Sequence, residues 1–210
     1  PCWVARNRAD GARAAVDAGA GCIIMDDGFQ NPGLAKDLSL MVIDGGFGFG
    51  NGRIIPAGPL RENLSAGIRR ADAAILIGRD TSNAERKLGS RLPVLHARFV
   101  PAPETPSFAG RSVVAFAGIG RPEKFFASLR ETGCDLKAIH GFPDHHVFAP
   151  EEIAAIVEQA AALDAEAITT AKDAVRLPED ARNMIQVFHV GLEWDALDDI
   201  SALVRRAVAG

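Results

Sequence analysis

Short apolar runs alternate with helical patterns along almost the whole chain, and that alternation restricts the possible folds most tightly. Helical patterns cover residues 8–20, 122–131, 149–163 and 194–208. Apolar, β-rich runs occupy residues 22–25, 38–43, 71–77, 94–99, 113–117, 136–140, 167–170 and 185–190. Strands that read as continuous apolar runs between helices predict parallel sheets covered on both faces. Three prolines within residues 101–106 (PAPETP) mark a linker where the alternation restarts. The expectation is therefore two α/β units, residues 1–103 and 104–210, with a glycine-rich ribbon or loop over residues 45–62 in the first.

Size and composition agree with this. A chain of 210 residues that is 48% hydrophobic and 24% charged is long enough to bury a core. A net charge of −4 argues against a surface built for nucleic acid. Cys2, Cys22 and Cys134 show no paired spacing, so neither a zinc site nor a disulfide framework is expected. No apolar run approaches the roughly 20 residues of a membrane span.

The stretch MDDGFQN, residues 25–31, places two carboxylates directly behind an apolar run. In parallel α/β sheets, ligands gather beyond the carboxyl ends of strands. Asp26 and Asp27 at such an end suit Mg²⁺ beside a nucleotide phosphate, because the dication relieves the repulsion between them. An ordinary strand exit explains the pair equally simply. The usual companion, a G-x-x-x-x-G-K-[ST] phosphate loop, is absent: Gly45 and Gly50 have the glycine spacing, but Asn51 and Gly52 follow.

Four further stretches carry candidate chemistry. Residues 53–62 (RIIPAGPLRE) bring Arg61 out of a proline-stiffened segment, either toward a phosphate or as a surface residue at a structural corner. Residues 118–123 (GIGRPE) leave a strand and enter a helix, giving either an anion site with Arg121 beside it or a tight loop that needs glycine. Residues 141–146 (GFPDHH) set Asp144 beside His145, suited to proton transfer, or form a capped loop facing water. Residues 169–176 (TTAKDAVR) put Lys172 and Arg176 on one helix face. Pairing with Asp173 on a solvated face is the simpler account there.

Taken together, DDGFQ at 26–30, GFGNGR at 48–53, PAGPLRE at 56–62, AGIGRPEKF at 117–125, FPDH at 142–145 and TTxKDxVRL at 169–177 resemble the tetraacyldisaccharide 4'-kinases of lipid A biosynthesis. The resemblance runs over nearly the whole chain. Asn31 stands where many members have His. It implies a P-loop kinase of two α/β domains, the first only partly present here. ATP and Mg²⁺ are the implied cofactors. The implied acceptor is the 4'-hydroxyl of a lipid disaccharide 1-phosphate, met by peripheral association at the cytoplasmic face of the bacterial inner membrane.

Carried onto this sequence, the resemblance makes Asp26 and Asp27 the metal ligands. Gln30, Arg61 and Glu62 match active-site positions. His145, with Asp144 beside it, matches the histidine that assists a catalytic Asp. Arg8 is a candidate for the substrate phosphate, and Arg121 for substrate binding. The family's phosphate loop, catalytic Asp and membrane-binding helix would precede Pro1, so residues 1–210 alone are expected to be inactive. The competing expectations are a P-loop ATPase or switch acting on protein partners, and a non-catalytic α/β binding module.

Overall fold

The structure is a computed structural model and describes residues 1–209. In chain order its elements are α1 (Arg8–Asp17), β1 (Leu40–Asp44), α2 (Leu64–Arg70), β2 (Ala73–Ile77), α3 (Ala84–Leu88), β3 (Val94–Pro101), β4 (Ser112–Ala117), α4 (Pro122–Glu131), β5 (Asp135–Gly141), α5 (Pro150–Ala162), β6 (Glu166–Thr170), α6 (Ala171–Ala174), β7 (Gln186–Phe188), β8 (Val190–Trp194) and α7 (Leu197–Ala209). They divide into two units, residues 1–98 with 193–210, and residues 99–192. The expected division at 103/104 assigned the last eighteen residues to the second unit. In the structure they cluster with the first, because the chain returns there through β8.

The second unit follows directly from its hydrophobic pattern. Its sheet has the order β5-β4-β6-β7, and every pairing within it is parallel. The central strand β4, SVVAFA, is buried from its second residue onward. Val114 and Phe116 enter one core with Phe148, Ile153 and Ile156 from the side of α5. Val113, Ala115 and Ala117 enter the other with Phe125, Phe126 and Leu129 of α4. Alternate residues of one strand thus serve two layers, which is why the run carries no polar residue after Ser112. Pro122 and Pro150 each open a helix, where a missing N–H costs nothing.

The first unit is built on the sheet order β1-β2-β3-β8, with β1, β2 and β3 mutually parallel. Ile43, Ala74, Leu76, Ala84, Leu88 and Leu92 form its core, joined by Phe49 from the glycine-rich loop. The other side of β1 is open, and Val42 is 62% exposed. Residues 45–62 form turns with a single isolated bridge, Ile54 to Leu60, rather than a paired ribbon.

One expected strand is not formed. Residues 22–25 take no strand conformation, and Ile24 is 93% exposed. The reason is pairing: a strand needs a neighbour for its N–H and C=O groups, and among the described residues β1 pairs only with β2. Asp26 and Asp27 therefore follow a segment without regular secondary structure, not a sheet strand.

Candidate functional site: two carboxylate–arginine clusters

The first unit gathers residues from DDGFQ and PAGPLRE. Arg61 Nη1 donates to both oxygens of Asp27, at 2.7 and 2.8 Å. Its Nη2 and Nε groups have no partner among the described residues. Gln30 Nε2 donates to Glu62 Oε1 at 3.1 Å, and Arg70 grips the same carboxylate with two bonds of 2.5 and 2.6 Å. The Arg70 guanidinium also lies 5.0 Å from the centre of the Phe29 ring. Arg70 holds the Glu62 carboxyl below the usual range, burial opposes it, and Gln30 adds to the lowering. Arg70 is raised in return, chiefly by Glu62.

Local backbone chemistry sets this arrangement. Asp27 takes φ of 48°, a left-handed conformation that Asp tolerates better than most residues. Gly28 follows because a Cβ there would come within 2.5 Å of Met25 Cβ. Asn63 caps α2 by accepting from Ser65 N at 2.9 Å. That cap fixes the helix carrying Arg70 directly behind Arg61 and Glu62. Asp26 has no hydrogen-bond or ion-pair partner among the described residues. Arg8 is exposed at the first position of α1 and is not joined to this cluster by any described hydrogen bond or ion pair.

The donor set of Asp26 and Asp27 bears on Mg²⁺. Mg²⁺ is commonly held by one or two carboxylates, completed by water and phosphate oxygens. Asp26, which has no partner among the described residues, fits that pattern as one such carboxylate, whereas Asp27 would join it only by sharing oxygens that already accept from Arg61. The pair does not fit an all-protein cage: no group of three or more His, Cys, Asp or Glu side chains is placed to hold a metal among the described residues.

The second unit carries its own cluster. Asp173 is fully buried, which overturns the expected solvated face. The i,i+3 spacing to Arg176 is present, but a neighbouring loop closes over the carboxylate. Asp173 Oδ2 accepts from Gly118 N at 3.0 Å and from Thr170 Oγ1 at 2.8 Å. Asp173 Oδ1 accepts from Arg176 Nη1 at 3.3 Å. Arg176 Nη2 lies 2.9 Å from His145 Nδ1. His145 takes φ of 60° and is 79% exposed along its side chain. Its Nε2 lies 3.7 Å from Asp144 Oδ2. Gly118 admits the close approach of this loop, since a Cβ there would meet His146 Cβ at 3.0 Å.

Arg121 immediately precedes α4, as expected for GIGRPE. His146 pairs with Glu152 at 2.8 Å and stacks on Phe142, so it belongs to the packing of its loop. Sequence reading missed Arg70 and Phe29, which lie outside the quoted stretch around Glu62 or read as core. It named Asp173 and Arg176 without their link to His145.

Both clusters come from the stretches that carried the resemblance, and known proteins bear on them. The model of the tetraacyldisaccharide-1-P 4'-kinase family matches residues 1–209. The chain belongs to this family. It is similar to the tetraacyldisaccharide 4'-kinase of Rhodospirillum centenum, 52% identical over 211 residues, covering 100% of this chain and 63% of that protein. It is 55% identical over 207 residues to that of Paramagnetospirillum magneticum, covering 98% of this chain and 64% of that one. The crystal structure of LpxK from Aquifex aeolicus in complex with ATP superposes with a TM-score of 0.70 at 26% identity, covering 98% of this chain and 64% of that one. The chain thus spans a little under two thirds of the length of these family members, and two α/β units with mainly parallel sheets are the shared fold.

Proposed function

We propose that the protein containing this chain transfers the γ-phosphate of ATP to the 4'-hydroxyl of a tetraacyldisaccharide 1-phosphate, a step of lipid A biosynthesis. Family membership supports the reaction class. The joining of DDGFQ to PAGPLRE through Asp27–Arg61 and Gln30–Glu62 carries the proposal. Phosphoryl transfer is mostly positioning and charge stabilisation, and this cluster offers both. Arg61, held through one nitrogen, has Nη2 and Nε left to meet phosphate oxygens. Asp26 and Asp27 would hold Mg²⁺, which when bound neutralises phosphate charge. Gln30, held by its hydrogen bond to Glu62, is proposed to meet the substrate together with Glu62. Arg8 and Arg121 are proposed contacts for the acceptor.

His145, with Asp144 beside it, is proposed to act on the hydroxyl through a carboxylate base outside residues 1–210. No G-x-x-x-x-G-K-[ST] stretch occurs in these residues, so residues 1–210 alone are proposed not to turn over. No described helix is long and apolar enough to cross a membrane, and peripheral association at the cytoplasmic face of the inner membrane is proposed for the whole protein.

The test is phosphate transfer from ATP to tetraacyldisaccharide 1-phosphate by the full-length protein, with Asp26→Ala as control. Transfer that Asp26→Ala abolishes is expected. Acceptor-independent ATP hydrolysis would instead favour a switch ATPase acting on protein partners.

A further inference from the structure

We propose that Asp173 and Arg176 are positioning residues that fix His145 as the neutral tautomer protonated on Nε2, so that His145 serves the site as a hydrogen-bond donor. This rests on the kinase proposal for its function, though not for its geometry.

The chemistry follows from what each group can do. A guanidinium has only donors. Arg176 Nη2, 2.9 Å from His145 Nδ1, therefore requires Nδ1 to accept. The neutral ring has one acceptor nitrogen, so its proton is on Nε2. In that state the only lone pair able to take a proton is turned toward Arg176. His145 can accept a proton only by leaving that partner. Its exposed edge is an N–H.

The fixture behind Arg176 is built into the core. Asp173 is fully buried and receives three donors, from Gly118 N, Thr170 Oγ1 and Arg176 Nη1. Gly118 is the hinge of the arrangement. Its N–H serves Asp173, while its carbonyl accepts from Arg176 Nη1 at 3.3 Å and from His145 N at 3.0 Å. Backbone and side chain of His145 are thus referred to the same two residues. That bracing holds a non-glycine residue at φ of 60°. A solvated surface pair would need neither a buried carboxylate nor a shared carbonyl.

A neutral Nε2–H donor suits a carboxylate or phosphate oxygen. Asp144 Oδ2 lies 3.7 Å from Nε2, too far for a hydrogen bond, so among the described residues this N–H has no hydrogen-bond acceptor.

The test has two arms. In the ¹⁵N-labelled protein with the imidazole neutral, His145 is expected to show an acceptor-type Nδ1 and a protonated Nε2. Arg176→Met is expected to draw the two shifts together as the tautomers exchange, and Arg176→Lys to restore part of the separation. Shifts unchanged in Arg176→Met, or a proton found on Nδ1, would overturn the proposal.

In the full-length kinase, Arg176→Met is expected to lower kcat about 10- to 100-fold with KM for Mg-ATP unchanged. In a His145→Ala background it should cost no more than about 2-fold, since its effect passes through His145. An equal further loss there would overturn it. Absence of any transfer by the unaltered full-length protein would refute the kinase proposal, and the tautomer arm alone would then decide this one.

Discussion

The Asp27–Arg61 and Asp173–Arg176 pairs join the same two side-chain types in opposite surroundings. Asp27 and Arg61 are 62% and 56% exposed, whereas Asp173 is 0% exposed and Arg176 26%. An exposed pair gains little, because water and salt screen it and two side chains must be ordered. A buried carboxylate with three donors is different, since removing it strands donors buried with it, such as Gly118 N. The first pair is arranged at little energetic risk, in a place where a ligand can reach it. The second is embedded in the fold and acts outward only through Arg176. Exposure, more than residue type, separates a group available for chemistry from one that holds such a group in place.

The largest expected effect breaks the comparison at its buried end. Asp173→Ala should destabilise the second unit by about 3 kcal/mol or more, by leaving Gly118 N, Thr170 Oγ1 and Arg176 without their acceptor. Both tryptophans, Trp3 and Trp194, belong to the first unit, so their fluorescence does not report on the second. Hydrogen exchange at the amides of β4 does. Protection there should collapse in Asp173→Ala, while the tryptophan-monitored transition stays in place. Unchanged protection would show that Asp173 is no more essential than a surface ion pair.

The exposed pair should behave the other way. Asp27→Ala is expected to change stability by no more than about 0.5 kcal/mol, followed by tryptophan fluorescence in urea. In the full-length protein it should lower transfer by about 100-fold or more, as expected when electrostatic stabilisation is removed from a phosphoryl-transfer site. A variant that lost stability and kept activity would reverse the assignment of the two pairs.

The sequence made some of this legible and hid the rest for physical reasons. β4 could be read directly, because SVVAFA is apolar on both faces and only a doubly covered strand needs that. Residues 22–25 carry the same signal and are not a strand, because an apolar run says nothing about whether a neighbour is present to pair with. β8 was not read as a strand: its first residue closed the apolar run 185–190 and its last opened the helical pattern 194–208, since VGLEW has a glycine and exposed positions and packs no continuous face. DDGFQ and PAGPLRE were found as stretches, but the Glu62–Arg70 bonds that join a loop to α2 follow no fixed spacing. Asp173 was the deepest miss. An i,i+3 Asp–Arg pair on a short helix looks the same in sequence whether it faces water or a closing loop. Here the deciding residue was Gly118, fifty-five positions away.

The smallest expected effect sharpens the comparison within single carboxylates, one in each unit. Glu62 and Glu152 both titrate below the usual range. For Glu62 the leading cause is the Arg70 guanidinium; for Glu152 it is the backbone N–H of Ala149, with His146 second. A carboxyl lowered in the folded state adds stability above its unfolded value, and that stability is lost as pH falls through the folded value. For both residues the loss therefore lies below about pH 4.5, the ordinary value. Salt should tell them apart. At 1 M the screening length is only about 3 Å, which weakens attraction between charges more than it weakens a bond to a fixed backbone dipole. Carboxyl ¹³C titrations in low and high salt should show the Glu62 midpoint rising toward the ordinary value. The Glu152 midpoint should move less, because the N–H it caps belongs to the start of α5 and stays in place. Equal movement of both would mean that charge, rather than the fixed N–H, governs Glu152, and His146 would replace Ala149 as its leading partner.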